Sequence, residues 1–448
     1  MANTTLKAKL AAALCAVALW QGASAQDLIR SAPPQQTGIA ITNARIHTMA
    51  GQVIERGHVM FQDGVITAVE AGDPPSRYAG VRIDAQGSHI YPGMIAASTR
   101  LGLIEISAVR ATRDFAETGD IAPEVRAWVS VNPDSVMFPV TRSNGVLIAG
   151  SFPSGGLIQG QASVLRMDGW TTEDMTIEPS MGLVISWPQM RPVDAWWMDQ
   201  RADEQRRRRD ERLRTLNNFF DEAAAYDALR REDSGHPVDV SLEAMRRFLP
   251  TADNQLPVIV RCADVDQINA AVAWAAERDL RLIILGGRDA PLAADLLKEH
   301  DVPVIITGTY AFPKRDDSPY DDAFTLPLRL EEAGVRWCLA PKGGNEASDV
   351  RNLPYEAALA AAHGLDPEIA MKGVTIYAAQ IMGIADRYGT IEPGKSATLI
   401  ITDGNPLEMM TNVELAFIDG RTIDLHNKQR ELRDKYREKY RQLGIIED

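Results

Sequence analysis

The chain is short of the residues on which much hydrolytic chemistry is built. Its 448 residues include 7 histidines and 3 cysteines. No two histidines stand two apart, and no Gly-x-Ser-x-Gly turn occurs. A serine nucleophile on a strand-to-helix elbow and a cysteine–histidine pair therefore have no support. Cys262 and Cys338 lie in separate apolar segments with no spacing motif around them. In an oxidising compartment these two are able to pair. Two buried free thiols are the expectation, since unpaired cysteine is commonly buried.

Long hydrophobic runs are also scarce. The single one, LAAALCAVALW, follows Lys7 and Lys9 and precedes Ala23-Ser24-Ala25. A charged start, an apolar middle and a small-x-small end read as a secretory signal cleaved near Ala25. The run is too short to span ~30 Å of hydrocarbon. Leu14, ahead of Cys15, is not the small residue a lipid anchor needs. The expectation is an exported, periplasmic protein with no membrane insertion after cleavage.

Positive charge is the third shortage. Lys and Arg number 47 against 61 Asp and Glu, a formal charge of -14. Loss of Lys7 and Lys9 with the signal takes this to about -16. Such a balance argues against nucleic acid and anionic membranes as partners. With 45% hydrophobic residues, the chain has room for one large domain and a smaller one.

What is present has a clear order. After a Pro/Gln-rich linker at 26–38, strand-like segments run from Ile39 to Met49, Val53 to Gln62, Val65 to Glu70 and Val81 to Ile83. Turn signals at Ala50-Gly51, Asp63-Gly64 and Gly72-Asp73-Pro74-Pro75 separate them. His47, His58 and His89 fall here and read as partly exposed sheet residues. Further on, candidate strands at Gly145–Ile148, Gly182–Ile185, Pro257–Val260, Leu280–Leu285, Val302–Thr307 and Val335–Leu339 alternate with amphipathic helical patterns. Those patterns cover Val265–Glu277, Ala290–His300 and Pro327–Ala333. Strand–helix alternation over some 300 residues argues for a parallel α/β fold.

The stretch Tyr91–Ile106, YPGMIAASTRLGLIEI, organises the rest. A Pro-Gly turn leads into the apolar run Met94–Ala97, and Ser98 and Arg100 follow. Residues two apart on a strand share a face, so both are expected to point the same way. This stretch resembles the first barrel strand of the amidohydrolase superfamily, in its imidazolonepropionase/dihydroorotase-like branch. There a metal-binding His-x-His stands where this chain has Ser98 and Arg100. ITNARIHTMAGQVIERGHVMFQDGVITAVEAG resembles the family's small β-sandwich. The segment from Val350 to Leu407 resembles its terminal portion over more than fifty residues.

The resemblance implies a (β/α)₈ TIM-type barrel at 92–386, flanked by a β-sandwich built from 39–91 and 387–425. A signal peptide at 1–25 and a polar helix at 426–448 complete the domain order. It implies active-site residues at the C-terminal ends of the strands. The family's activity is hydrolysis of non-peptide carbon–nitrogen bonds with zinc or another divalent metal. At the positions that match its ligands this chain has Ser98, Arg100, Arg261 (in PVIVRCAD), Gly286 (in LGGRDA) and Lys342 (in GVRWCLAPKGG). Zinc-type ions require imidazole, thiolate or carboxylate lone pairs, whereas Arg and protonated Lys only donate. Two unit charges ~4 Å apart interact by about 4 kcal/mol at an effective dielectric of ~20, so a divalent ion beside one such cation is repelled by about 8 kcal/mol. No cofactor is therefore expected, and catalysis of the family's kind is in doubt.

Three readings stay open: a metal-free pseudoenzyme, forming a homo-oligomer or pairing with an intact amidohydrolase relative; a hydrolase with a shifted site; or a binder of a small anionic ligand. Arg100, Arg261 and Lys342 would line the pocket, paired internally with Glu105 and Asp289 or holding the anion. Other features read as structural. Ser154-Gly155-Gly156 to Gly160 reads as a tight loop rather than an anion cradle. Asp316, Asp317, Asp321 and Asp322 lack the spacing of a calcium loop. Arg206–Arg209, flanked by acids, form a solvated helix face above Leu213, Leu216, Phe219 and Phe220. Trp187, Trp196 and Trp197 wall a pocket or form a subunit contact. The C-terminal helix presents Tyr436, Tyr440 and Leu443 as a narrow apolar seam.

Overall fold

Period-two alternation divides the barrel strands between two cores. In the computed structural model, which describes residues 31–194, 198–342 and 347–447, eight strands form one sheet. They are β6 (Met94–Thr99), β7 (Val146–Ser151), β8 (Ile158–Arg166), β9 (Thr176–Ser186), β10 (Val258–Cys262), β11 (Leu282–Gly286), β12 (Val304–Thr307) and β13 (Trp337–Ala340), hydrogen-bonded in chain order. The ends meet where β13 lies against β6. Ile95, Ala97, Ile148, Val184, Ile259, Ile283, Ile305 and Cys338 fill the interior. Their sequence neighbours Ala96, Leu147, Leu183, Val258, Ile284, Val304 and Leu339 pack outward under the helices. Both faces of each strand are buried, which is why the strands read as continuous apolar runs. The expected signal peptide, with Trp196 and Trp197, lies outside the described residues.

One strand departs from a strict (β/α)₈ pattern. β8 runs antiparallel to both β7 and β9, while the remaining neighbours are parallel. The sequence reading treats 154–160 as a tight loop; the turn is shorter than that, and residues 158–160 already belong to β8. Gly156 and Gly160 have φ of +72° and +113°, and a Cβ on either would come within 2.8 Å of the backbone at 120 or 125. These glycines allow the segment at 119–126 to press against β8, and no anion cradle is needed to explain them.

A second sheet is assembled from both chain ends. β1 (Ile39–Ile46), β2 (Ile54–Gln62), β3 (Val65–Ala71), β4 (Val81–Asp84) and β5 (His89–Pro92) join β14 (Leu399–Thr402), β15 (Val413–Ile418) and β16 (Arg421–Thr422). It is one hydrogen-bonded sheet curled on itself. Phe61 of β2 meets Phe417 of β15 edge-on at 5.1 Å although three strands separate them in the sheet. The histidines here are more engaged than the sequence suggests. His58 is buried, and His47 Nε2 lies 3.1 Å from His89 Nδ1 with its ring stacked on Tyr91 at 4.1 Å.

Four helices pack around the sheets or extend from them: α1 (Ala202–Glu232), α2 (Val265–Glu277), α3 (Leu353–Ala362) and α4 (Lys428–Gln442). α1 buries Leu216 and Phe220; of its arginine run, Arg206, Arg207 and Arg208 are exposed, while Arg209 is half-buried against the loop after β9. α4 buries no residue. No helix among the described residues is long and apolar enough to cross a membrane. The segment read as a linker is partly docked: the Ser31 hydroxyl and Ala32 N–H donate to buried Asp168, at 2.9 and 3.0 Å.

Candidate functional site

The parallel strands deliver their C-terminal ends to one rim, and the positions singled out in the sequence stand there. β6 ends irregularly. Thr99 turns toward β7 and donates to the Gly150 carbonyl at 2.9 Å, and the pairing register shifts between Ala96 and Thr99. Ser98 is half-buried. Arg100 stacks its guanidinium over Phe115 at 4.2 Å, and burial lowers its pKa from the usual arginine value.

Arg261 alternates with Val260 and Cys262, so it projects on the inward face shared with Ile259. It is mostly buried. Its Nε donates to Gln159 Oε1 at 3.0 Å and its Nη2 to the Pro153 carbonyl at 3.2 Å. Both acceptors are neutral, and no carboxylate among the described residues pairs with it. Burial, and then the nearby Arg100 charge, push its pKa down to about 10. A guanidinium resists losing its proton even then. The rim therefore sets the Arg100 charge to bear on Arg261, which pairs with no carboxylate among the described residues.

The other two positions behave differently. Gly286 leaves β11 at φ +111°, and a Cβ there would come within 2.7 Å of the Cys262 carbonyl. A side chain of any kind is excluded by that turn. Lys342 is exposed, and its backbone N–H donates to Glu356 Oε1 at 3.1 Å. Among the described residues Arg100 is the charge that bears on Arg261, so the expected convergence of three cations is there a pair.

The two acids expected to neutralise the cations have other partners. Asp289 is buried and faces the segment after β12, accepting from Arg315 at 3.1 and 2.5 Å and from Lys314 at 3.1 Å. Lys314 also contacts Asp264. Glu105 accepts from Asn132 Nδ2 at 3.3 Å. The aspartates read as a loop cluster serve the same segment, with Asp322 bridging Arg288 at 3.2 Å and Arg329 at 2.9 Å.

Sequence reasoning missed Glu356. It is 2% exposed on α3 and accepts from Thr309 N at 2.5 Å, Thr309 Oγ1 at 2.7 Å and Tyr310 N at 3.1 Å, as well as from Lys342 N. One carboxylate thus ties together the exits of β12 and β13. The signal was available: Glu356 is the lone charge in the helix LPYEAALAAA.

A divalent metal does not fit this donor set. The five matching positions supply one hydroxyl, three cations and a glycine. Among the described residues no three His, Cys, Asp or Glu side chains are grouped to hold an ion. Cys262 belongs to the outer core and Cys338 to the inner, on opposite faces of the sheet with two strands between. Both are free thiols, and burial pushes the Cys262 thiol up to about 12.

Comparison with known proteins places this geometry. The Amidohydrolase family model matches residues 266–423. The imidazolonepropionase of Mesorhizobium japonicum is 25% identical over 386 residues, covering 81% of this chain and 91% of that relative. The imidazolonepropionase of Geobacillus kaustophilus is 42% identical over 74 residues, 16% of this chain and 18% of that relative. Among solved structures, an amidohydrolase from Thermotoga maritima MSB8 is similar with a TM-score of 0.74 at 22% identity, over 86% of this chain and 99% of that one. Molinate hydrolase is similar with a TM-score of 0.53 at 16% identity, over 89% of this chain and 96% of that one.

Proposed function

The chain belongs to the amidohydrolase superfamily, and from that premise we propose that this member has given up metal-assisted hydrolysis and uses its barrel mouth to hold a small anion. The family is one of hydrolases, and the names of the relatives point to imidazolonepropionase-like chemistry. That chemistry, in the family's form, needs an ion that lowers the pKa of its bound water to about 7 and polarises the scissile bond. The residues here repel such an ion.

The observation that carries the anion reading is Arg261. A mostly buried guanidinium, hydrogen-bonded to two neutral oxygens and paired with no carboxylate among the described residues, keeps its positive charge at the rim. Arginine presents a planar fork of donors suited to carboxylate or phosphate. Internal pairing of the cations was the competing role, and the partners of Asp289 argue against it.

The test has three parts. Elemental analysis of purified protein in chelator-free buffer is expected to find well under one metal per chain. Imidazolonepropionate is expected to be left unturned. Acetate, succinate or phosphate at a hundredfold excess over Kd is expected to stabilise by about 2.7 kcal/mol, and Arg261→Met to abolish that response. Stoichiometric metal, chelator-sensitive turnover, or a flat response across the three anions would sink the proposal.

A second reading, that the chain assembles with itself or with an intact relative, draws on the segment after β12. There Phe312 is 91% and Tyr320 73% exposed, large apolar surfaces of the kind enriched at interfaces. Light scattering checks it: a monomeric mass alone and in the presence of an intact relative rules it out.

A further inference from the structure

We propose a second ligand site, separate from the mouth, that takes a small carboxylate with an apolar body. It is a cavity of about 290 Å³ between the loop that follows β9 and the first turns of α1. Ligand pockets run from about 300 Å³ upward, so its size suits a compact molecule rather than a polymer.

The wall is held in place before any ligand arrives. Trp187 is 5% exposed and meets Trp274 edge-on at 5.4 Å, and Trp274 in turn meets Phe220 at 5.0 Å. Gln267, buried at the start of α2, donates to the Trp187 and Pro188 carbonyls, each at 3.2 Å. Across the cavity, Gln205 clasps the loop, accepting from Val193 N at 2.8 Å and donating to the Val193 carbonyl at 3.0 Å. Arg209 donates to the Met190 carbonyl at 2.8 Å. A prebuilt wall reduces the ordering cost of binding.

The chemistry of the lining is one-signed. Arg191, Arg206, Arg208, Arg209 and Arg212 line the cavity, and among the described residues no Asp or Glu does. Some of this charge is answered from outside it: Arg191 pairs with Asp266, Arg206 with Asp203 at 2.8 Å and Arg209 with Asp210 at 2.7 Å. Arg212 is 3.9 Å from its nearest carboxylate, Asp120, and Arg208 has no carboxylate partner among the described residues. Successive positions 205, 208, 209 and 212 recur at helical spacing, so the two under-neutralised arginines lie on the side of α1 that faces the loop. The rest of the wall is apolar, from Trp187, Met190 and Met198. The Trp187 indole N–H is buried without an acceptor, an orphan donor of the sort that calls for explanation. Under-neutralised arginines over an aromatic and thioether floor select a carboxylate joined to a flat or branched hydrocarbon.

Calorimetry with phenylacetate and its neutral amide, phenylacetamide, tests this. Saturable binding of the acid is expected, with the amide at least tenfold weaker. Arg208→Gln combined with Arg212→Gln should weaken the acid tenfold or more, while Arg261→Met leaves it unchanged. That last variant separates this site from the mouth, whose own anion response it removes. Should the double variant fold poorly, tryptophan fluorescence substitutes: phenylacetate is expected to change the emission of the unaltered protein and not that of Trp187→Phe. Absence of binding, equal affinity for acid and amide, or a fluorescence response that survives Trp187→Phe would overturn the proposal.

Discussion

Arg261 and Glu356 are two answers to one problem, a charge taken out of water inside a barrel rim. Glu356 has its charge met by three backbone N–H groups and a hydroxyl, which is how a buried carboxylate is stabilised without a cation. Replacing it by Gln turns an acceptor into a donor facing other donors. Glu356→Gln is expected to lose about 1–3 kcal/mol in urea unfolding. Arg261 has only neutral acceptors among the described residues, so Arg261→Met is expected to be neutral or stabilising in the same measurement. His47 makes a pH prediction. Burial, then His89, lowers its pKa from 6.5 to about 4. Between those values the unfolded chain takes up a proton that the folded chain refuses. Its contribution is therefore complete above about pH 6.5 and is lost as pH falls toward about 4. Unfolding stability should drop by about 1–3 kcal/mol over that window, and the slope should shrink in His47→Asn.

At the scale of elements, the buried pair Arg142–Asp168 joins pieces that local pattern does not connect. Arg142 Nη1 is 2.7 Å from Asp168, with 3% and 2% side-chain exposure, and Arg142 Nε reaches the Asp424 carbonyl at 3.0 Å. Asp168 also holds the start of the described chain at Ser31 and Ala32. Removing one partner of such a pair leaves a buried charge and typically costs about 3–5 kcal/mol. Asp168→Ala is expected to show that loss and to open the 31–38 segment to limited proteolysis; an unchanged cleavage pattern would refute the anchoring role. The antiparallel β8 is a second feature of this scale. The glycines ahead of it were legible as a turn, but its direction depends on pairing with β7 and β9, which are distant in sequence.

At the scale of the whole molecule, the barrel persists where the metal chemistry of its lineage does not fit. Its stability comes from two apolar layers, inside and outside the strands, neither of which uses the rim. Thermal unfolding in chelator and in added zinc is accordingly expected to coincide. A large stabilisation by zinc would mean that ligands come from other residues. The turn at Gly286 leaves no room for the Cβ of a histidine placed there.

The apolar periodicities, the Pro92-Gly93 entry, the strand–helix alternation and the identities of Ser98, Arg100, Arg261, Gly286 and Lys342 were all readable in one dimension. They point to a barrel of the amidohydrolase type and leave the positions matched to its ligands without the usual donors, because donor chemistry belongs to residue type. Only the tertiary structure decided which charges meet. It brought Arg100 to Arg261, gave Asp289 to Lys314 and Arg315, set Glu356 under the strand exits, and opened an arginine-lined cavity beside Trp187. Those outcomes depend on distances between strands and loops far apart in the chain. Electrostatic energy follows distance and burial, and sequence order specifies neither.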